Sequence, residues 1–152
     1  MSLAVARLET ERKNWRREHP KDFVAKPAAG DLMVWSCKIP GPENTEWQGR
    51  LYSVTLKFSA EYPSSPPMAY FSPVLFHPNI FTNGQVCLSI LDSHKDWAPS
   101  ITMAQILLGL QDLLKTPNTL SPANVEASKL FQSHPSEYAK RIRAQPGEEF
   151  DA

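Results

Sequence analysis

The sequence contains 14 prolines in 152 residues. Because proline fixes φ, lacks an N–H and disfavours a helical conformation in the residue before it, each one ends or delimits a regular segment. Ahead of His19-Pro20, residues 3–18 have helical spacing, with Ala4, Leu8, Glu11 and Trp15 on one face. Arg12, Lys13, Arg16 and Arg17 then share the opposite, outer face. Such a charge cluster is ordinarily a solvated surface, with a binding face as the alternative.

From residue 32 the period changes to two. Met33, Trp35, Cys37 and Ile39 fall on one side of a strand that Pro40-Gly41-Pro42 ends, which makes Cys37 a buried filler. After a turn around Gly49, the residues Tyr52, Val54, Leu56 and Phe58 alternate again. Pro63, Pro66 and Pro67 break that run before a third strand, residues 68–71. Three consecutive strands predict an antiparallel meander.

Residues 72–99 have little period and several prolines, a longer connection than compact domains usually contain. Their content of Leu, Ile, Phe and Trp points to a functional loop, not a disordered one. Beyond it, Thr102 is placed to cap a helix whose Ile106, Leu107, Leu110, Leu113 and Leu114 form an apolar stripe closed near Pro117. Ser121-Pro122 has the form of another helix start, with Ser121 as N-cap and the helix running to about residue 133. His134-Pro135 separates it from a last helix over residues 136–145. Helix, sheet, irregular segment and three helices form an α+β order, and the length suits one domain, residues 1–152.

Formal charge is zero, with 16 basic and 16 acidic residues, so nothing global draws the chain to nucleic acid or membrane. Charge is segregated locally: residues 1–17 hold five cations against Glu9 and Glu11, whereas Glu148, Glu149 and Asp151 make the tail acidic. No apolar run is long enough to span a bilayer and no signal peptide is evident, which predicts an intracellular protein. Two cysteines fifty positions apart and four scattered histidines suggest neither a disulfide framework nor a metal site.

One of those cysteines, Cys87, sits in the functional loop. A protease-like nucleophile needs a histidine in reach. His77 precedes a proline in a turn and His94 lies in a polar loop, while Val86 and Leu88 offer no charge to activate the thiol. A thiol without a base still exchanges with a thioester, whose leaving group is itself good. A fixed amide such as that of Asn79 suits the oxyanion formed when an amine then attacks. Asn79 capping its own turn is the plainer alternative.

The run Phe76-His77-Pro78-Asn79-Ile80, with Cys87 eight residues after Asn79, resembles the signature of the ubiquitin-like-protein conjugating enzymes. Tyr62-Pro63, Pro66-Pro67 and Trp97 also stand where that family has them. Residues 11–20, the longer loop ending in Lys95-Asp96-Trp97 and residues 105–109 are most similar to its SUMO-conjugating branch. The resemblance implies a UBC fold and a Cys87 thioester carrier that takes SUMO from the activating enzyme and passes it to a substrate lysine. It further implies Asn79 at the oxyanion, His77 and Pro78 as structural, and no cofactor, ATP being consumed by the partner.

In that reading Arg12, Lys13, Arg16, Arg17 and His19 bind SUMO and the activating enzyme, while Met68, Tyr70, Asn83, Gln85, Asn124 and Ser128 line the substrate groove. SUMO ligases and substrate proteins are the further partners, in nucleus and cytoplasm. A conjugating enzyme for ubiquitin or another modifier, and a noncatalytic modifier-binding scaffold, are the alternatives. Three positions depart from the branch. Ser121 stands where an aspartate helps deprotonate lysine, and residues 26–31 form a shorter loop than usual. Met68, Tyr70 and Ser128 replace two lysines and a tyrosine of the acceptor pocket.

Overall fold

The computed structural model describes residues 2–150. Met1, Ala152 and Asp151 of the acidic tail lie outside the described residues. Helix α1, Leu3–Arg17, is followed by strands β1, Val24–Ala28; β2, Asp31–Pro40; β3, Arg50–Lys57; and β4, Met68–Phe71. They pair antiparallel in the order β1-β2-β3-β4, and a two-residue strand β5, Glu148–Glu149, pairs with the start of β3. Helices α2, Met103–Lys115; α3, Val125–Ser133; and α4, Pro135–Arg143 complete the α+β order.

The predicted alternation decides the packing. Trp35, Cys37 and Ile39 of β2 and Tyr52, Val54 and Leu56 of β3 are all buried, and they share one core with Met103, Ile106, Leu107, Leu110, Leu113 and Leu114 of α2. Burial of Cys37 pushes its thiol up to about 12. Thr102 caps α2 as expected, in a reciprocal capping box with Gln105. Glu11 is buried as well, and its Oε1 accepts the Met103 N–H at 2.9 Å, at the positive end of α2. Arg7 pairs with Glu11 at 3.1 Å and donates to the carbonyls of Pro99 and Ile101, fixing α1 against the start of α2.

Three expectations are corrected. The connection expected over residues 26–31 is mostly strand β1 and a two-residue turn in which Gly30 takes φ +75°. Only Ala25 of β1 is buried and the strand contains Pro27, a composition tolerated at an edge but without alternation to read. Secondly, α3 begins at Val125 under an Asn124 cap, whose Oδ1 accepts the Ala127 N–H at 3.0 Å. Ser121 is exposed three residues earlier and caps nothing. The Ala123 and Asn124 N–H groups both donate to the Pro78 carbonyl, at 2.7 and 3.0 Å, which delays the helix.

Thirdly, α4 spans Pro135–Arg143 with Pro135 in its first turn, and Gln145 leaves the helix to bond Phe76. The acidic tail pairs with the sheet at Glu148–Glu149, where Glu148 meets Lys38 at 2.5 Å, and the Phe150 N–H donates to the Gly49 carbonyl.

Candidate functional site

The irregular segment between β4 and α2 is less exposed than its turn residues suggest: Leu75, His77, Asn79, Ile80 and Val86 are buried. Buried backbone outside a helix or sheet needs partners for its N–H and C=O groups, and side chains provide them here. The Gln145 amide bonds both the N–H and the carbonyl of Phe76. His77 Nδ1 accepts the Asn79 N–H at 2.9 Å, and its Nε2–H donates to the Leu113 carbonyl at 2.7 Å.

That carbonyl needs such a donor. Its helical partner would be residue 117, and Pro117 has no N–H. The two bonds require the neutral Nε2–H tautomer, and burial lowers the His77 pKa to about 4, outweighing the opposing pull of the Leu113 carbonyl. His77 is therefore a neutral strut and not a base for the thiol.

Asn79 is 1% exposed. Its Nδ2 donates to the Asn118 carbonyl at 2.7 Å and its Oδ1 accepts the Asn118 N–H at 2.8 Å. The plain alternative, a cap on its own turn, is thus replaced by a bond across 39 positions to the segment after α2. Of the two Nδ2 hydrogens, one remains for other use.

Cys87 follows directly. Gly84 takes φ +91°, and a Cβ there would lie 2.4 Å from the Phe71 carbonyl oxygen, so only glycine fits the turn that returns the chain to the edge of β4. Gln85 bridges Tyr70, Val86 donates to the Ala69 carbonyl at 2.9 Å, and the Cys87 N–H donates to the Asn79 carbonyl at 2.8 Å. The thiol is half-buried, unlike that of Cys37. A partly open thiol is thereby fixed beside a buried, neutral scaffold.

The groove residues divide. Met68 and Tyr70 point away from the core, opposite the buried Ala69 and Phe71, and the Tyr70 hydroxyl lies 3.6 Å from the Met68 sulfur. Gln85 stands opposite Tyr70 across the bridge, and Asn83, in the exposed turn before it, accepts the Gln85 N–H at Oδ1 at 2.9 Å. Asn124 is held against Pro78. Ser128 is 3% exposed and its hydroxyl accepts a bond from Gln132, so it presents little to a groove. Sequence reasoning missed Lys57, whose Nζ stands 5.0 Å from the centre of the Tyr70 ring. It also missed Asn118, Leu113 and Gln145, of which only Leu113 had a readable signal, the proline four residues later.

The basic residues of α1 lie elsewhere, on the exposed face. Arg12, Lys13, Arg16 and Arg17 form no ion pair among the described residues, and His19 stacks on Trp15 with ring centres 4.9 Å apart.

The structure thus sets a half-buried cysteine beside a buried His-Pro-Asn turn at the edge of an antiparallel sheet, and comparison shows the family in which this arrangement stands. Residues 7–145 match the ubiquitin-conjugating enzyme family, to which the chain belongs. It is 49% identical to a SUMO-conjugating enzyme of Arabidopsis thaliana over 148 residues, 94% of this chain and 92% of the relative. SUMO-conjugating enzymes of Caenorhabditis elegans and Dictyostelium discoideum are each 46% identical, covering 93% and 94% of this chain and 88% and 93% of the relatives.

Proposed function

We propose that this chain is a SUMO-conjugating enzyme with Cys87 as its thioester carrier. The observation that carries the reading is the half-buried Cys87 thiol, bonded through its backbone to Asn79 in a chain similar to three SUMO-conjugating enzymes along nearly all its length. The Cys87 thiolate attacks the modifier's C-terminal glycyl thioester on the activating enzyme. A new C–S bond forms, the old one breaks, and the activating enzyme's thiolate leaves. A substrate lysine amine then attacks the Cys87 thioester, the tetrahedral oxyanion collapses, Cys87 leaves as thiolate, and the amine proton passes to solvent.

Asn79 contributes its remaining Nδ2–H to the oxyanion, while the Asn118 pair fixes the amide. Ser121 offers no carboxylate, so lysine deprotonation rests on desolvation and positioning at the loop. The Arg12, Lys13, Arg16, Arg17 and His19 face docks the activating enzyme and SUMO. Ligases and substrate proteins approach the groove of Met68, Tyr70, Asn83, Gln85 and Asn124.

A loading assay with purified activating enzymes for SUMO and for ubiquitin tests the reading. SUMO should form a reductant-sensitive adduct that survives Cys37→Ser. Cys87→Ser should give at most a slow, reductant-resistant ester. An adduct on Cys87→Ala, or loading with ubiquitin alone, would overturn it.

A further inference from the structure

Lys57 ends β3 and is exposed, with no carboxylate paired to it among the described residues. It stands opposite Met68 in the register of β3 and β4. The thiol-bearing segment lies along the other edge of β4, also antiparallel. Phe71 donates to the Gly84 carbonyl and Val86 to the Ala69 carbonyl, each at 2.9 Å, on either side of the bridge between Tyr70 and Gln85. Continued by one residue, that register sets Cys87 opposite Met68. The Cys87 N–H accordingly turns away from β4 to the Asn79 carbonyl, as alternate N–H groups of a paired segment do. Burial follows the pleat: Val86 faces the core, while Gln85 and Cys87 on either side of it are half-buried and face outward with Tyr70 and Met68.

Lys57, Met68 and Cys87 therefore lie in one line across the outer face, with Lys57 about 10 Å from Cys87, two strand spacings. The lysine side chain already reaches along that line. Its Nζ stands 5.0 Å from the centre of the Tyr70 ring, a cation–π contact that directs the amine from β3 toward β4.

We propose that Lys57 is itself an acceptor of the modifier, in cis, from the loaded Cys87 of the same chain. Having given a proton to solvent, the Lys57 amine attacks the glycyl carbonyl of the Cys87 thioester. A C–N bond forms, the C–S bond breaks and Cys87 leaves as thiolate, so the chain ends with the modifier on Lys57 and its thiol restored. The flexible four-carbon stem of lysine covers the remaining spacing, because the thioester carbonyl lies beyond the sulfur on the same outer face. A conjugate at Lys57 covers Met68 and Tyr70, so an enzyme left without a substrate amine closes its own acceptor groove. This role rests on Cys87 carrying a thioester, which the same experiment reads on its own.

The full chain is loaded with SUMO by the activating enzyme, ATP is then removed, and the loaded chain is incubated without acceptor. A reductant-sensitive band measures the thioester, and a reductant-resistant band with peptide mass mapping locates the isopeptide. The isopeptide should map to Lys57. Its first-order rate should hold over a roughly ten-fold dilution, because a tethered amine meets the thioester at an effective concentration on the order of millimolar. Lys57→Arg keeps a cation over the ring but no comparable nucleophile, and should lose the adduct and lengthen the life of the thioester. A thioester lost only to water, an adduct confined to other lysines, a rate that falls with dilution, or an adduct undiminished in Lys57→Arg would overturn the proposal while the thioester stands. Absence of the thioester would overturn the carrier reading and the proposal together.

Discussion

The side-chain amide of Asn79 is paired on both sides with the backbone of Asn118, donating at 2.7 Å and accepting at 2.8 Å. The same residue holds Cys87 through its own carbonyl, so one asparagine ties the segment after α2 to the cysteine. Asn79→Ala should have two separable effects. Loss of the pair should lower stability by roughly 2–3 kcal/mol, the cost of orphaning two partly buried backbone groups. Loading of Cys87 should persist, whereas discharge to lysine should slow by about 100-fold, because an oxyanion contact exists only in the transition state. Asn79→Asp keeps an acceptor for the Asn118 N–H but buries a carboxylate whose other oxygen faces the Asn118 carbonyl, and should therefore recover neither the stability nor the discharge rate. Pulse-chase discharge assays with chemical denaturation separate the two, and equal loss of loading and discharge would assign Asn79 to structure alone.

His77 makes stability depend on pH. Its folded pKa of about 4 lies below its ordinary 6.5. Between those values the unfolded chain therefore binds more protons than the folded one, and stability rises with pH. The contribution is complete above about pH 6.5 and is lost as pH falls through about 4, amounting to about 2 kcal/mol between pH 7 and 5. Denaturation midpoints at the two pH values measure it, and an NMR titration reads the imidazole directly. An imidazole that titrates near 6.5 in the folded protein would refute the buried neutral strut.

The basic face of α1 has no acidic partner among the described residues, and the nearby Glu11 is already committed to Arg7 and the Met103 N–H. If that face docks the activating enzyme, Lys13→Glu with Arg16→Glu should cut the loading rate by roughly ten-fold or more at low salt and flatten its dependence on ionic strength. Discharge from preloaded Cys87 to free lysine should be unchanged. Loading at the original rate with both charges reversed would return the face to mere solvation.

What could be read from the sequence was local. The Thr102 cap, the leucines of α2 and the alternation of β2 and β3 each carry their rule within a few residues, and each forms as expected. Strand β1 escaped because Lys26 and Pro27 break any apolar alternation and only the pairing with β2 makes it a strand. Ser121-Pro122 satisfied the local rule for a helix start, yet the Pro78 carbonyl claims the next two free N–H groups and moves the cap to Asn124. The site divides in the same way. The His-Pro-Asn turn and Cys87 stand out in sequence, but the Asn118, Leu113 and Gln145 bonds that hold them span 36 to 69 positions and no local pattern announces them.

The acceptor groove gives the last prediction. The resemblance implies that Met68 and Tyr70 replace two lysines, and with them the cations that would meet an acidic residue after the acceptor lysine. The structure returns one: Lys57, paired with Met68 across the sheet, holds its ammonium over the Tyr70 ring. Both Lys57 and Met68 are exposed, and an ion pair in such a place is worth only about 0–1 kcal/mol. Acceptor peptides with the acidic residue should therefore react at most about five-fold faster than those without it. Lys57→Ala should bring that ratio to about one, and Met68→Lys with Tyr70→Lys should widen it. Added salt should shrink the preference in each case, since all the charges involved are open to solvent. Meanwhile the Met68 and Tyr70 surface should favour an apolar or aromatic residue at the same position, by covering area that is otherwise wet. Discharge rates from preloaded Cys87 to matched peptides measure all of this, and a large acidic preference that survives both Lys57→Ala and high salt would place acceptor selection elsewhere.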